Sequence, residues 1–256
     1  MIDKIVDRMT RVISVLVLLL ACFYSCLAQK GRVVNGHEYV DLGLSVLWST
    51  KNIGAITEYE SGDFFSWGET VTKDLYDIDN YKFGWYTMSK YVNRYDSTID
   101  FPSAIDSLTV LEPIDDAAVC IWGSPWRMPT NKEYIELVHE CEWLWVPNYK
   151  GKNVKGYLVR GKNGNEIFLP CAGNKGMRGV NSGANQIGSY WTSILQNKRY
   201  AYEMCFNVSM IDIELNLNHR YMGNPVRPVI DRTYLNQQPE NEAVKSTKKK
   251  RNKQKR

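Results

Sequence analysis

The four residues Thr130-Asn131-Lys132-Glu133 constrain this chain most, because they spell the start of a helix. In a T-x-x-E spacing the threonine hydroxyl accepts from the amide three residues on, and the glutamate carboxylate reaches back to the cap amide. Pro129 ends any earlier helix. Behind the cap, Tyr134, Leu137, Val138 and Cys141 recur at i, i+3, i+4 and i+7. That spacing predicts about three turns of helix, from Asn131 to Cys141, with one buried apolar face.

The two ends of the chain differ in kind from its middle. Lys4, Arg8 and Arg11 lead into the run Val12 to Tyr24, interrupted only by Ser14. The run falls short of the roughly 20 apolar residues of a membrane span and predicts a secretory signal over residues 1–28. Small side chains at Cys26 and Ala28, before Gln29, suit signal peptidase I. Leu19-Leu20-Ala21-Cys22 is a rival lipobox that would leave Cys22 lipidated, although Phe23-Tyr24 extends the apolar core instead of opening a tether. An uncleaved anchor is the third alternative. The expected location is thus the periplasm, the outer-membrane surface or the medium, with a lipoprotein as the variant.

Residues 29–235 predict one folded domain of about 200 residues, enough for a full core. Residues 236–256 predict a disordered basic tail, since they hold almost no aliphatic and no aromatic side chains. The formal charge of +4 sits in that tail, and residues 29–244 carry 21 basic against 26 acidic side chains. That balance is not what a nucleic-acid-binding domain presents. The tail's expected partners are anionic surface polymers or lipid headgroups, met weakly and by charge alone.

Along the middle, Tyr39 to Trp48 reads as one or two short strands parted by Gly43, and Asp63 to Gly68 as another. Thr70 to Glu112 reads as a long surface excursion with little regular structure. Asp115 to Trp122 reads as a short helix with acids at its positive end. Gly156–Arg160 and Glu166–Leu169 flank Asn163-Gly164, which predicts a tight hairpin. Gly173 to Gly188 is a long polar loop rich in glycine and asparagine, and Tyr190–Ser193, Tyr200–Val208 and Pro225–Val229 are the closing strands. Helices early and antiparallel strands late predict an α+β fold.

Seven ordered motifs give this chain a resemblance. They are Tyr39–Ser45, Gly62–Thr70, Leu111–Pro113 with Asp115–Ala118, Trp126–Thr130, Ile167–Pro170, Gly188–Ser193 and Val226–Val229, running from about residue 36 to 231. Together they resemble the Fibrobacter succinogenes major paralogous domain, a family abundant in exported proteins of Bacteroidetes and Fibrobacteres. That family is similar to the C-type-lectin-like superfamily, in the branch of the formylglycine-generating enzyme. The resemblance implies twisted antiparallel sheets, two flanking helices and long loops on one side, and it implies no activity.

Chemistry is sparse. Thiol-dependent oxygen chemistry needs reactive cysteines close together, and the late pair Cys171 and Cys205 has apolar neighbours instead. Cys120, Cys141, Cys171 and Cys205 stay open between buried thiols and disulfides, with three pairings. Asp115, Asp116 and Glu112 are explained by helix-start electrostatics, and no hydrolase or phosphate motif appears. The lectin calcium ligands are missing where Trp191-Thr192-Ser193 has neither Asn nor Asp, so no metal and no cofactor is expected. Arg127 and Arg227 read as partly buried guanidinium groups held by carboxylates or carbonyls. The expectation is a non-enzymatic exported binding module whose loops contact a glycan or a surface protein. Asn174, Arg178, Asn185, Tyr190, Trp191, Asn216 and Arg220 are its candidate ligand-binding residues, beside the aromatics Trp143, Trp145 and Tyr221. A structural or adhesive component of a surface assembly is the first alternative, and an enzyme related to formylglycine-generating oxidases the second.

Cleavage between Ala28 and Gln29 predicts, by intact-mass measurement of protein from the native host, an unlipidated chain starting at Gln29. A lipid mass on Cys22 is the opposing outcome.

Overall fold

The computed structural model describes residues 32–83, 90–91, 106–212 and 216–236. Residues 1–28, read as a secretory signal, with Cys22, and residues 237–256 of the expected tail lie outside the described residues. The chain divides into two contact units, Met1–Gly36 and His37–Arg256. The described part of the first carries the short strand β1 (Val33–Val34).

The second unit is a mixed α+β structure with several antiparallel sheets and few helices. It opens with β2 (His37–Val40) and β3 (Val46–Ser49), the two strands expected around Gly43. Helices α1 (Ala117–Trp122) and α2 (Asn131–Glu140) follow. Strands β4 (Glu142–Val146), β5 (Gly156–Arg160) and β6 (Glu166–Pro170) then form a meander. The glycine-rich loop contains a small hairpin of β7 (Asn174–Lys175) and β8 (Asn181–Ser182). Strand β9 (Gly188–Leu195) pairs with β10 (Tyr200–Asn207), which also pairs with β11 (Met210–Asp212) and β12 (Leu217–His219). Last, β13 (Val229–Asp231) returns to lie antiparallel to β3.

The capping box forms as the spacing requires. Glu133 N donates to Thr130 Oγ1 at 3.4 Å, and Thr130 N donates to Glu133 Oε2 at 2.7 Å. The same carboxylate accepts from Arg127, whose Nη1 reaches Glu133 Oε2 at 2.9 Å and whose Nη2 also meets Asp231 at 2.5 Å. Since Arg127 and Val229 exchange both backbone hydrogen bonds, the start of α2 is bolted to the last strand. On the buried face Tyr134 and Leu137 join Trp48, Val159, Leu169, Tyr190, Met204 and Phe206 in one core, with Val138 and Cys141 packed on its edge.

Three expectations shift. Asp63 to Gly68 forms no strand, only a single bridge between Phe65 and Asn224. The closing strand is displaced from Pro225–Val229 to Val229–Asp231, because Pro225 and Pro228 have no N–H to give a ladder. The hairpin after β5 is wider than a two-residue turn: Gly161 and Asn165 close it, and only Gly164, at φ +82°, is left-handed. Asn163 instead donates from its side chain to Asp41 O at 2.8 Å.

The excursion after Thr70 contains, among its described residues, no helix or strand up to Asp106, as expected. It is not confined to the surface, however, since Tyr76, Tyr81, Phe83 and Tyr91 are buried. Helix α1 starts at Ala117, where Asp116 caps Ala118 N at 2.8 Å and also holds Met128 N at 2.8 Å. Asp115 serves instead as the partner of Lys82, Lys90 and the Tyr91 hydroxyl.

Thr130→Ala is expected to lower stability by about 1 kcal/mol, the usual loss of a capping hydroxyl. The shift in urea midpoint at unchanged slope measures it.

Candidate functional site

Two loops that the sequence leaves irregular are held together by backbone contacts. Lys175 N donates to Gly223 O and Gly223 N to Lys175 O, both at 2.8 Å, and Tyr76 N donates to Gly176 O at 3.4 Å. At Gly179, φ is +64° and an added Cβ would come within 2.5 Å of Asp74 O, so only glycine fits there. A Cβ on Gly223 would meet the Tyr76 ring at 2.7 Å. The glycine-rich loop, segment 72–80 and the turn at Gly223 are thereby fixed against one another.

Between them lies a basin of about 580 Å³ lined by Gly62 to Phe64, Thr72 to Tyr76, Asn80 and Lys175. Its floor is organised by Tyr76, whose hydroxyl donates to Phe64 O at 2.6 Å and whose pKa is raised by burial. Lys73 is engaged, pairing with Glu69 at 2.6 Å and donating to Asn80 Oδ1 at 3.1 Å. Lys175 is different. Its ammonium lies 5.0 Å from the Phe64 ring centre and meets no carboxylate among the described residues. The side chains of Asp63 and Asp74 likewise make no hydrogen bond or ion pair among the described residues. Val71, Leu75, Met177 and Val180 are exposed on the two segments. A second hollow of about 340 Å³ lies between Glu38, Lys51, Glu58, Tyr149 and Phe168, and a Lys150–Glu58 pair at 2.7 Å takes up part of its charge.

None of the seven candidate residues lines the basin, and two stand on the loop next to it. Asn174 stands beside Lys175 on β7, and Arg178 is exposed in the loop between β7 and β8. Asn185 is consumed by structure, accepting from Lys155 N at 2.6 Å and donating to Asn153 O at 3.0 Å. Tyr190 and Trp191 are fully enclosed, donating to Pro170 O and Phe65 O at 2.7 Å each, and they offer no face to a ligand. Arg220 is also buried, and Asn216 turns its amide toward Glu203. Trp143 and Trp145 pack edge-on against Tyr157, while Tyr221 stacks on His219 and stays half-buried.

All four described cysteines are free thiols, so no pairing forms. Burial pushes Cys141 and Cys205 up to about 11 and Cys171 to about 12, and raises Cys120 as well. The thiolate that oxygen chemistry needs is therefore scarce at neutral pH.

A group that the sequence reading passed over is Glu203, buried on β10 among neutral donors. Its carboxylate accepts from Ser189 Oγ at 2.8 Å, Asn224 Nδ2 at 2.5 Å, Asn218 Nδ2 at 3.1 Å and Asn216 Nδ2 at 3.3 Å. Burial raises its pKa against the pull of these donors, and Asp212 adds to the rise. The available signal was an acid between Tyr202 and Met204 inside an otherwise apolar strand. For the basin, the signal was the density of tyrosine and aspartate from Asp74 to Tyr81.

Compared with protein-family models, with characterised proteins and with solved structures, the chain finds no match.

Because its folded pKa is raised, Glu203 contributes most to stability below the unfolded value near 4.5, and that contribution is lost as pH rises through the folded value. Other carboxylates, such as Asp115 and Glu58, are lowered and act in the opposite sense, so the difference between proteins is the quantity to read. Melting curves from pH 4 to 8 are expected to show Glu203→Gln gaining on the parent as pH rises. A constant difference across the range contradicts the assignment.

Proposed function

We propose that this chain is an exported, non-enzymatic binding module on a C-type-lectin-like domain of the Fibrobacter succinogenes major paralogous type, and that its basin receives a glycan. The observation that carries the reading is unspent polarity on a rigid frame. Asp63 and Asp74 line the basin with no side-chain hydrogen bond or ion pair among the described residues, Lys175 meets the Phe64 ring but no carboxylate among them, and the backbone around them is fixed by the Lys175–Gly223 pair. Preset donors and acceptors of both signs read sugar hydroxyls without the ordering cost that a loose loop would add. Export and family membership rest on the sequence motifs.

The exposed Val71, Leu75, Met177 and Val180 favour a second reading, in which a surface protein covers this rim and the chain is an adhesive component of an assembly.

A glycan array probed with the mature chain is expected to give a defined set of bound glycans, with affinity reduced at least tenfold by Lys175→Ala at unchanged melting temperature. Binding that survives Lys175→Ala displaces the site from the basin. An array without signal, together with a surface protein whose capture is lost on Val180→Asp, selects the second reading.

A further inference from the structure

Arg220 and Arg227 are both enclosed, at 1% and 0% exposure, but they are satisfied unequally. Arg227 donates from Nε, Nη1 and Nη2 to Asn52 Oδ1, Ser49 O and Phe168 O at 2.7, 3.1 and 3.0 Å. Arg220 donates from Nε to the Tyr81 hydroxyl at 3.1 Å, and from Nη1 to Tyr91 O at 3.2 Å and Lys198 O at 3.1 Å. Its Nη2 is buried and has no hydrogen-bond partner among the described residues.

Around this guanidinium stand four rings. Its central carbon lies 5.0 Å from the ring centre of Trp67, 5.5 Å from Tyr81, 5.7 Å from Phe83 and 5.9 Å from Tyr91. The cage itself is fixed, since Trp67 donates to Thr192 O at 2.9 Å and Tyr81 to Trp67 O at 2.6 Å. No carboxylate reaches Arg220 among the described residues. The acids on the surrounding segments are engaged elsewhere: Glu69 with Lys73 and the Lys82 amide, Asp115 with Lys82, Lys90 and the Tyr91 hydroxyl, and Asp106 with the Tyr91 amide.

Ring faces offset part of a buried positive charge. They do not satisfy an N–H, and an enclosed cation without a counter-charge is costly. A water molecule satisfies the N–H but leaves the charge, whereas a small anion satisfies both. A doubly charged oxyanion calls for several donors, and this cage offers one open amino group. We propose that Arg220 anchors an enclosed site for a monovalent anion of halide size, held at Nη2 beside the four-ring cage. The site is independent of the glycan reading. Its structural effect falls on the turn from Arg220 to Gly223, whose backbone pair with Lys175 holds that basin-lining residue in place.

The test uses the full chain, unfolded and refolded in sodium bromide, sodium chloride or sodium gluconate at equal ionic strength so that the closed site can load. Melting temperature is expected to rise with the logarithm of halide concentration, by about 3–5 °C at ten times the dissociation constant, and to stay flat in gluconate. Crystals grown in bromide are expected to show an anomalous peak within hydrogen-bonding distance of Arg220 Nη2. Arg220→Met is expected to abolish both signals. If that variant does not fold, the salt series and the anomalous map of the parent decide. A water at Nη2 overturns the proposal, as does a salt-dependent melting temperature with no bromide at Arg220.

Discussion

The buried guanidinium of Arg227 is the contact on which the rest of this structure depends. It comes from the turn just before β13, and its three acceptors belong to the end of β3, to β6 and to the Asn52 segment. None of these acceptors is charged, so the cation is held by geometry, with its planar fork matched to three oxygens. Asn52 in turn donates to Ser61 O at 2.8 Å, which carries the same network toward Gly62 and Asp63 at the mouth of the basin. Losing one of these acceptors would leave a buried N–H unpaired, and such losses are felt over the whole network rather than at one bond.

Charged side chains do at the edges what Arg227 does inside. Glu136 on α2 accepts from Ser45 N at 2.9 Å, Asp116 joins the start of α1 to Met128, and Arg232 pairs with Asp41. Each sheet is small, and side-chain bonds of this type join one sheet or helix to the next. That explains how short strands such as β7 and β8, two residues each, keep a defined position. Besides their own two-pair ladder, they are held by the Lys175–Gly223 backbone pair and by Tyr76 N donating to Gly176 O.

Local signals were legible in the sequence, and distant ones were not. The capping box, the helix it opens, the strands around Gly43 and the β5–β6 hairpin each follow from residues within about ten positions. That protein oxygens hold Arg127 and Arg227 was readable from their framing by Trp, Met, Val and Pro, with Arg227 fully buried and Arg127 partly so. Tyr76, Tyr81, Phe83 and Tyr91 were not placed inside because nothing local orders them. Their packing partners Trp67, Arg220 and Gly223 come from other parts of the chain. For the same reason Tyr190 and Trp191 passed as ligand candidates although the core takes them, and Lys175 and Asp74 were passed over although the basin leaves them open.

The pairing of β3 with β13 has a consequence for how the chain comes to be folded. Trp48 faces Val229 and Leu47 faces Ile230, so β3 finds one of its two neighbours far along the chain. A chain that emerges N-terminus first holds Leu47 and Trp48 without that neighbour until residues 229–231 have been made. Contacts of such sequence separation slow folding and lengthen the life of sticky intermediates. Arg227 arrives in the same late segment, so its acceptors at Ser49 and Phe168 also wait. Truncation near residue 225 therefore removes both the β13 neighbour of β3 and the buried guanidinium of Arg227.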